Sequence, residues 1–309
     1  MVEAPPALEA RSLSKQFGAK VAVRELSLTL PRGEVFGFLG PNGAGKTTSM
    51  KMLLGLVRPT SGEGRLLGEP LGAARGRARV GYLPEHFAFH EWLEGRELLR
   101  FHARLLGVPT RGLDAGVEER LRRVNLADAA TRRVREYSKG MKQRLGLAQA
   151  LLGEPELVFL DEPTSGLDPL GRRLVRDVIR ELRQRGTSVF LNSHLLSEVE
   201  VTCDRVAFVK GGRVVRDMRL GAEERDLEVE MRLERTTATL VADLARFGHD
   251  VRVEGDRVRM GVSGEETLPE ITRWLASQGV GLYHLGARRP SLEEIFLEVV
   301  ADDADAVLG

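Results

Sequence analysis

The spacing of apolar residues changes along the chain, and each change predicts a different kind of element. Residues 5–36 alternate apolar and polar positions, as Leu26, Leu28 and Leu30 do, and this period of two predicts antiparallel strands. Residues 94–153 instead repeat apolar side chains every three or four positions, which is the spacing of a helix face. We therefore expect an antiparallel β subdomain and, after it, a helical insertion.

Short apolar runs outside these segments predict a second kind of sheet. Each run has only four or five residues, which suits a buried strand better than a buried helix. Strands of this kind that alternate with helices favour a parallel sheet with both faces covered, so the predicted fold class is α/β. The runs are residues 35–39, 157–160 and 188–191.

The C-terminal part of the chain has more charge, and we place a domain boundary near Gly221. This predicts one domain at 1–220 and a small accessory domain at 221–309. The accessory segment has the element order β-α-β-β-α-β, which is typical of a ferredoxin-like α+β module. Ser291 and Glu294 then have the spacing of a capping box at the start of a last helix. The predicted strands are 227–233, 250–253, 258–262 and 280–285, and the predicted helices are 238–247 and 266–277.

Composition limits the compartment and the partners. The 309 residues contain 46 Lys and Arg against 45 Asp and Glu, so no overall field attracts nucleic acid, and no nucleic-acid partner is expected. The single cysteine, Cys203, excludes an internal disulfide and fits a reducing compartment. No signal-peptide pattern and no run near the ~18 apolar residues of a membrane helix is present, so we expect a cytosolic location.

The residues after the first apolar run carry the strongest chemical signal. They match the pattern G-x-x-x-x-G-K-[ST], in which glycines let backbone N–H groups surround phosphate oxygens. Lys46 would supply a positive charge to the outer phosphates, and Thr47 a hydroxyl to Mg²⁺. We therefore expect the chain to bind a nucleoside triphosphate. The predicted phosphate loop consists of Gly40, Pro41, Asn42, Gly43, Ala44, Gly45, Lys46, Thr47 and Thr48.

An acidic pair at the end of the second apolar run predicts the hydrolytic part of this site. Asp161 can hold Mg²⁺, directly or through water. Glu162 can orient or deprotonate the attacking water. The competing interpretation is an ordinary strand followed by an acidic turn.

Three further motifs make the chain similar to the ATP-binding-cassette (ABC) ATPases. The first is Tyr-Ser-Lys-Gly-Met at 137–141, the second is Ser-Gly-Leu-Asp at 165–168, and the third is His194 at the end of a predicted strand. The family signature is Leu-Ser-Gly-Gly-Gln, so Ser138 and Gly140 match it and their neighbours depart from it. The variant, and the terminal segment Pro-Ser-Leu-Glu-Glu-Ile-Phe, resemble the ATPases of type-2 exporters. The resemblance is strong from Leu8 to about residue 216.

This resemblance implies a P-loop NTPase cassette that forms a head-to-tail homodimer with two ATP molecules at its interface. Ser138 and Gly140 of one copy would close over the γ-phosphate bound by the other copy. Their chemistry fits, because serine is a good N-cap and a helix over 139–152 would direct its dipole at an anion. Taken alone, the motif is equally compatible with a plain helix start. By the same resemblance, Asp168 would line the dimer seam and His194 would hold the γ-phosphate in register with the water activated at Glu162.

Two positions differ from the residues that the family usually has. Phe17 stands where the family has an aromatic side chain, usually tyrosine, that stacks on adenine; the alternative is a core phenylalanine. Glu85 stands in place of a glutamine that contacts the metal. A carboxylate is also a hard oxygen ligand, so the resemblance implies that Thr47, Glu85 and Asp161 organise Mg²⁺.

A histidine- and aromatic-rich segment follows Glu85. His86 and His90 are four residues apart, which is compatible with a metal pair, although closed metal sites normally have about four ligands. The aromatic residues Phe87, Phe89 and Trp92 lie where the family contacts its partner. Packing beneath the helical insertion is the competing interpretation of these rings.

The resemblance implies an ATPase subunit that powers a membrane transporter, in particular an exporter. Its partners would be multi-helix transmembrane permease subunits, and it would lie on the cytoplasmic side of the membrane through them. The alternatives are a soluble cassette ATPase of translation or DNA maintenance, and a regulatory module that never turns over. The transported substance has no signature in the chain, because no residue forms a membrane path.

Overall fold

The computed structural model describes residues 4–86, 88–221 and 226–301, and the chain divides into the units Met1–Met218 and Arg219–Gly309. The functional division into a nucleotide-binding domain at 1–220 and an accessory domain at 221–309 stays a prediction. The strands that begin in the first unit are β1 (Leu8–Phe17), β2 (Lys20–Leu30), β3 (Val35–Leu39), β4 (Ser61–Leu66), β5 (Glu69–Pro70), β6 (Val80–Leu83), β7 (Leu157–Asp161), β8 (Ser188–Asn192), β9 (Arg205–Lys210) and β10 (Arg213–Arg219). Its helices are α1 (Lys46–Leu53), α2 (Ala74–Arg77), α3 (Gly95–Leu105), α4 (Leu113–Arg123), α5 (Lys139–Ala150), α6 (Pro169–Gln184) and α7 (Leu196–Thr202), with 3₁₀ turns at Ala127–Ala129 and Val134–Glu136.

The three short apolar runs form neighbouring strands of a six-stranded sheet with the order β10-β9-β3-β8-β7-β6. The pairs β3–β8, β7–β8, β6–β7 and β3–β9 are parallel, as the sequence predicts. Every residue of β3, β7 and β8 is buried, because both faces of the sheet are covered. Phe190 packs between Phe38 and Phe159, with ring centroids 5.2 and 5.1 Å away. The carboxyl-terminal ends of β3, β8 and β7 therefore lie side by side at the same edge of the sheet.

The alternating segment before the phosphate loop forms antiparallel strands, which confirms that prediction. β1 pairs with β2 and with β4, and the sheet has the order β2-β1-β4-β5. Leu26, Leu28 and Leu30 of β2 are buried, while the residues between them are exposed. This alternation is what buries one face of the sheet.

The predicted insertion at 94–153 contains α3, α4, α5 and both 3₁₀ turns. Tyr137 lies among them, with its ring buried against Gly95. Its hydroxyl donates a 2.6 Å hydrogen bond to the carbonyl of Ala129. Burial raises the pKa of this hydroxyl. Tyr137 thus packs inside the insertion and anchors the segment that leads into α5.

The second unit has the predicted element order. Its strands pair in the order β12-β13-β11-β14, and all described pairs are antiparallel, which fits a ferredoxin-like sheet. Leu227, Val229, Met231 and Leu233 point into one buried cluster from the central strand. The elements are β11 (Leu227–Leu233), α8 (Ala238–Leu244), β12 (His249–Glu254), β13 (Arg257–Val262), α9 (Thr267–Ser277), β14 (Leu282–Arg288) and α10 (Leu292–Ala301).

Some predicted boundaries in this unit were wrong. The first helix ends at Leu244 rather than at residue 247, and the last strand runs over Leu282–Arg288 rather than 280–285. The strand begins late because the chain first turns at Gly279, which has φ of +62°. The predicted capping box is present: Ser291 N–H donates to Glu294 Oε2 at 2.9 Å, and Glu294 N–H donates to Ser291 Oγ at 3.2 Å.

Across the described stretches, none of the helices has both the length and the apolarity needed to span a bilayer.

The Tyr137 hydrogen bond can be tested by removing one oxygen. We expect Tyr137→Phe to lower the free energy of unfolding by about 1 kcal/mol, because the Ala129 carbonyl keeps a second donor, the Arg132 N–H, at 3.0 Å. Urea unfolding followed by circular dichroism measures the change. Tyr283→Phe is the matched control, since Tyr283 is exposed and its loss should fall within about 0.5 kcal/mol. Equal losses in the two variants would contradict the assigned bond.

Candidate nucleotide site

The phosphate loop connects β3 to α1 and needs glycine for steric reasons. A Cβ atom at Gly40 would lie 2.2 Å from the carbonyl oxygen of Val209, and one at Gly45 would lie 2.4 Å from that of Ala22. Gly43 and Gly45 also have φ of 82° and 96°, which other residues rarely adopt. The loop therefore keeps a shape in which backbone N–H groups at the start of α1 are available to an anion.

Lys46 is the first residue of α1 and bends back over the loop. Its ammonium donates to the carbonyl oxygens of Gly40 at 2.7 Å and Pro41 at 3.1 Å. Burial lowers the pKa of Lys46, while the charges of Asp161, Glu162 and Glu85 act in the opposite direction. The lysine thus lies within the electrostatic reach of all three predicted carboxylates.

Asp161 is the last residue of β7 and is almost fully buried. Asn192, the last residue of β8, lies beside it, and its Nδ2 donates to Asp161 Oδ1 at 2.5 Å. Burial raises the pKa of Asp161, and the hydrogen bond from Asn192 opposes this effect. The hydrogen bond from Asn192 therefore fixes the orientation of the Asp161 carboxylate at the edge of the sheet.

Glu162 leaves the strand with a left-handed backbone, at φ of +52°. Its N–H donates to the carbonyl of Asn192 at 2.8 Å, which fixes this turn. Its buried carboxylate lies 2.6 Å, measured from Oε2, from Nδ1 of His194. Burial raises the pKa of Glu162, and His194 opposes the shift. A strained, buried carboxylate paired with a histidine is typical of a catalytic base.

The signature residues lie at the start of α5. Ser138 is its N-cap, and its Oγ accepts a hydrogen bond from Met141 N–H at 3.2 Å. Gly140 leaves little room for a side chain, since a Cβ there would lie 3.3 Å from Leu167. The stem of Lys139 covers the backbone of Gly166. The signature and the following loop are thus packed against each other within one chain.

Sequence reasoning missed Gln143, one turn further along α5. Gln143 is buried, and its Nε2 donates to the carbonyls of Glu162 at 3.1 Å and Pro163 at 3.2 Å. It therefore connects the signature helix to the turn that carries the candidate base. Its position on the otherwise apolar buried face of α5 is the sequence signal that could have revealed it.

Asp168 has a structural role that the sequence did not predict. Its Oδ1 accepts a 2.7 Å hydrogen bond from Gly171 N–H and caps α6, with Pro169 at the first helical position. Its predicted place along a dimer seam stays a prediction.

The remaining metal candidates flank the same edge of the sheet. Thr47 is in the first turn of α1, and Glu85 follows β6 with an exposed carboxylate. The charge of Glu85 acts on both Lys46 and Asp161. Hydroxyl and carboxylate oxygens are the ligands that Mg²⁺ prefers, and it usually takes one or two carboxylates together with phosphates and waters. This donor set therefore fits Mg²⁺.

Phe17 is at the end of β1 and is not a core residue. Its ring is 51% exposed, and the ammonium of Lys15 lies 5.0 Å from the ring centroid. The alternative of a core phenylalanine was wrong, and a ring free to stack on a base is what adenine binding requires.

The histidine- and aromatic-rich segment has exposed side chains. In residues 4–86, 88–221 and 226–301, no group of three or more His, Cys, Asp or Glu side chains is arranged to hold a metal. The His90 ring contacts the tilted ring of Trp92, with 4.9 Å between centroids, and meets the ring of Phe101 edge to face, with 5.5 Å between centroids. The side chain of Trp92 is 68% exposed. Trp92 is therefore not packed beneath the insertion. Phe87 lies outside the described residues.

The comparisons with known proteins agree with this geometry. The family described as "ABC transporter" matches residues 23–165. "Uncharacterized ABC transporter ATP-binding protein all4389" of Nostoc sp. is 51% identical over 197 residues, which is 63% of this chain but only 59% of that protein. "Daunorubicin resistance ATP-binding protein DrrA3" of Streptomyces coeruleorubidus is 38% identical over 97% of this chain and 98% of its own.

Two further similarities extend this result. "Nod factor export ATP-binding protein I" of Burkholderia lata is 36% identical over 94% of this chain and 96% of its own. A solved structure described as "Structure of ATP binding subunit of ABC transporter" is 31% identical, covers 69% of this chain and 90% of that chain, and has a TM-score of 0.65.

The buried carboxylate of Glu162 should limit stability at neutral pH. An acid whose pKa is raised by folding stabilises the protein below its unfolded pKa, and this contribution is lost as the pH rises through the folded pKa. We therefore expect Glu162→Gln, without nucleotide, to raise the melting temperature more at pH 8 than at pH 5. The charge of Asp161 is one of the causes that raise the pKa of Glu162, so relief of this repulsion acts in the same direction. A gain that is the same at both pH values would contradict the raised pKa.

Proposed function

The chain belongs to the ABC transporter ATP-binding proteins, and on this premise we propose that it hydrolyses ATP in a head-to-tail homodimer to power export through a membrane permease. The observation that carries the proposal is the 2.6 Å contact between the buried Glu162 and His194, directly after Asp161 and within electrostatic reach of Lys46. A phosphate loop alone would serve many functions. The additional base and its histidine support hydrolysis over simple nucleotide binding.

The phosphates would be held at the start of α1. Backbone N–H groups of the loop and of the first turn of α1 surround the phosphate oxygens, and the helix dipole favours the charge of these oxygens. Lys46 moves its ammonium from the carbonyls of Gly40 and Pro41 to the outer phosphates, where charge-assisted bonds are stronger than those to neutral carbonyls. Phe17 stacks on the adenine.

Thr47, Glu85 and Asp161 would hold Mg²⁺, which neutralises charge on the phosphates when it is bound. Glu162 accepts a proton from the attacking water, and its raised pKa makes it a stronger base than an exposed glutamate. His194 donates to the Glu162 carboxylate and holds it in one orientation, while its exposed edge is available to the γ-phosphate.

The second half of the site would come from the partner copy. Ser138, Gly140 and the N-terminus of α5 approach the γ-phosphate in trans, with Asp168 along the seam. The first turn of α5 contains Lys139 and Lys142 and no carboxylate. Lys142 is paired with Glu91, so Lys139 and the helix dipole would be the groups that favour an anion. Gln143 connects this helix to Glu162, so each copy links the base of its own site to the signature that it offers to its partner.

Export and membrane attachment are supported by the relatives and by one surface. A relative that matches nearly the whole chain is described as an export ATP-binding protein. Trp92, Phe101 and Leu105 have exposed apolar side chains, and the rings of Trp92 and Phe101 both contact His90, which suits a surface for an apolar segment of a permease. The protein would thus lie on the cytoplasmic side of the membrane, peripherally attached.

Removing the candidate base should separate binding from hydrolysis. We expect Glu162→Gln to lower the ATPase rate by about 10²- to 10⁴-fold and to accumulate an ATP-bound dimer, because the nucleotide still binds and the water is no longer activated. Size-exclusion chromatography with light scattering in ATP and Mg²⁺ measures the dimer.

Glu154→Gln is the matched control, since Glu154 is an exposed glutamate away from the loop residues. This variant should hydrolyse ATP at the parent rate and show no trapped dimer. A Glu162→Gln protein that stays monomeric in excess ATP, or that hydrolyses normally, contradicts the proposed role.

The membrane role is tested by identifying the proteins that co-purify with this protein. We expect a multi-helix membrane protein to co-purify from its own cells in mild detergent, and mass spectrometry to identify it. Trp92→Ser should reduce this recovery at unchanged ATPase activity, because the tryptophan lies on the proposed surface. Ribosomes or DNA in place of a membrane protein would favour the soluble ATPase.

A further inference from the structure

We propose that Asn192 is a positioning residue that orients Asp161, the predicted Mg²⁺ carboxylate, with its amide N–H. The inference rests on the proposed function, because it assumes that Asp161 holds the metal. It assigns a role to a side chain that the phosphate loop, the acidic pair and the signature do not include.

Asn192 and Asp161 are joined by the register of the sheet. They are the last residues of the adjacent parallel strands β8 and β7, and they pair directly with each other. Their side chains are 3% and 2% exposed, and Nδ2 and Oδ1 are 2.5 Å apart. Water therefore does not compete for this bond, and the carboxylate has little freedom to turn away.

The carboxylate also fixes which way the amide faces. An ionised carboxylate only accepts hydrogen bonds, so the amide NH₂ must face Asp161 and Oδ1 must face away from it. This Oδ1 is buried and has no hydrogen-bond partner among the described residues. A buried acceptor without a donor is unfavourable, so the fold keeps the contact with Asp161 at a cost in stability, which points to a functional role for that contact.

The position of β8 in the sheet indicates what this contact serves. β8 lies between β7 and β3, and Asn192 pairs on its other side with Phe38, two residues before the phosphate loop begins. The amide is thus placed between the predicted metal carboxylate and the strand that leads to the phosphates. A hydrogen-bond partner behind a metal-ligating carboxylate fixes the orientation of that carboxylate and tunes its affinity for the metal.

The main chain of Asn192 has a separate task that side-chain substitutions leave in place. Its carbonyl accepts the N–H of Glu162 at 2.8 Å and so holds the left-handed turn of the candidate base. A substitution at 192 therefore changes the support of Asp161 while this backbone bond is retained. An isosteric leucine removes both the amide donor and the amide acceptor.

The test measures how much Mg²⁺ tightens nucleotide binding, without any need for hydrolysis. A fluorescent, non-hydrolysable ATP analogue is titrated against the whole chain in Mg²⁺ and in EDTA, and the ratio of the two dissociation constants is compared between proteins. We expect Asn192→Leu to reduce this ratio about tenfold and to leave the dissociation constant in EDTA unchanged. Asn192→Ala, which also removes the amide, provides the same test if leucine does not fold.

A double-mutant cycle with Asp161→Asn shows whether Asn192 acts through Asp161. We expect Asn192→Leu to cause little further loss of the ratio once Asp161 has lost its charge. An unchanged ratio in both Asn192 variants, or an equal loss with and without Asp161→Asn, overturns the positioning role. If Asp161→Asn itself leaves the ratio unchanged, the metal assignment in the proposed function fails, and the role of Asn192 fails with it.

Discussion

Two adjacent carboxylates buried at the end of a strand are the constraint on which the rest of the site depends. Asp161 and Glu162 lose the solvation that would normally stabilise their charge, and burial is the leading cause of both raised pKa values. Each carboxylate is stabilised by one neighbour: Asn192 donates to the first, and His194 contacts the second. Lys46 adds a positive charge within reach of both. The parallel sheet makes this possible, because it ends three buried strands side by side.

The sequence predicted the parts of the fold that depend on local pattern. The phosphate loop, the buried strands, the antiparallel sheet and the β-α-β-β-α-β order all follow from the spacing of apolar residues and glycines. The boundary errors occur where tertiary turns decide, as at Gly279 before β14. Propensity alone does not fix such turns, because they depend on how the neighbouring elements pack.

The polar contacts inside the site were less predictable, since they join residues far apart in the sequence. Asn192 and Gln143 have no motif of their own, and their partners at 161–163 become visible only when the strands and α5 are packed. Asp168 shows the opposite case. The resemblance named it for the dimer seam, while its side chain also caps α6. A motif therefore identifies a residue more reliably than it identifies that residue's contacts.

The positive charge of Lys46 is hydrogen-bonded to acceptors within the phosphate loop itself. Its ammonium already has two acceptors, the carbonyls of Gly40 and Pro41, so a ligand must exchange these bonds for better ones. A neutral nucleoside offers no compensation for that exchange, whereas phosphate oxygens offer charge-assisted bonds. In the proposed site, a ligand with more phosphates would compensate this exchange better, so the loop would select for ligand charge independently of the base.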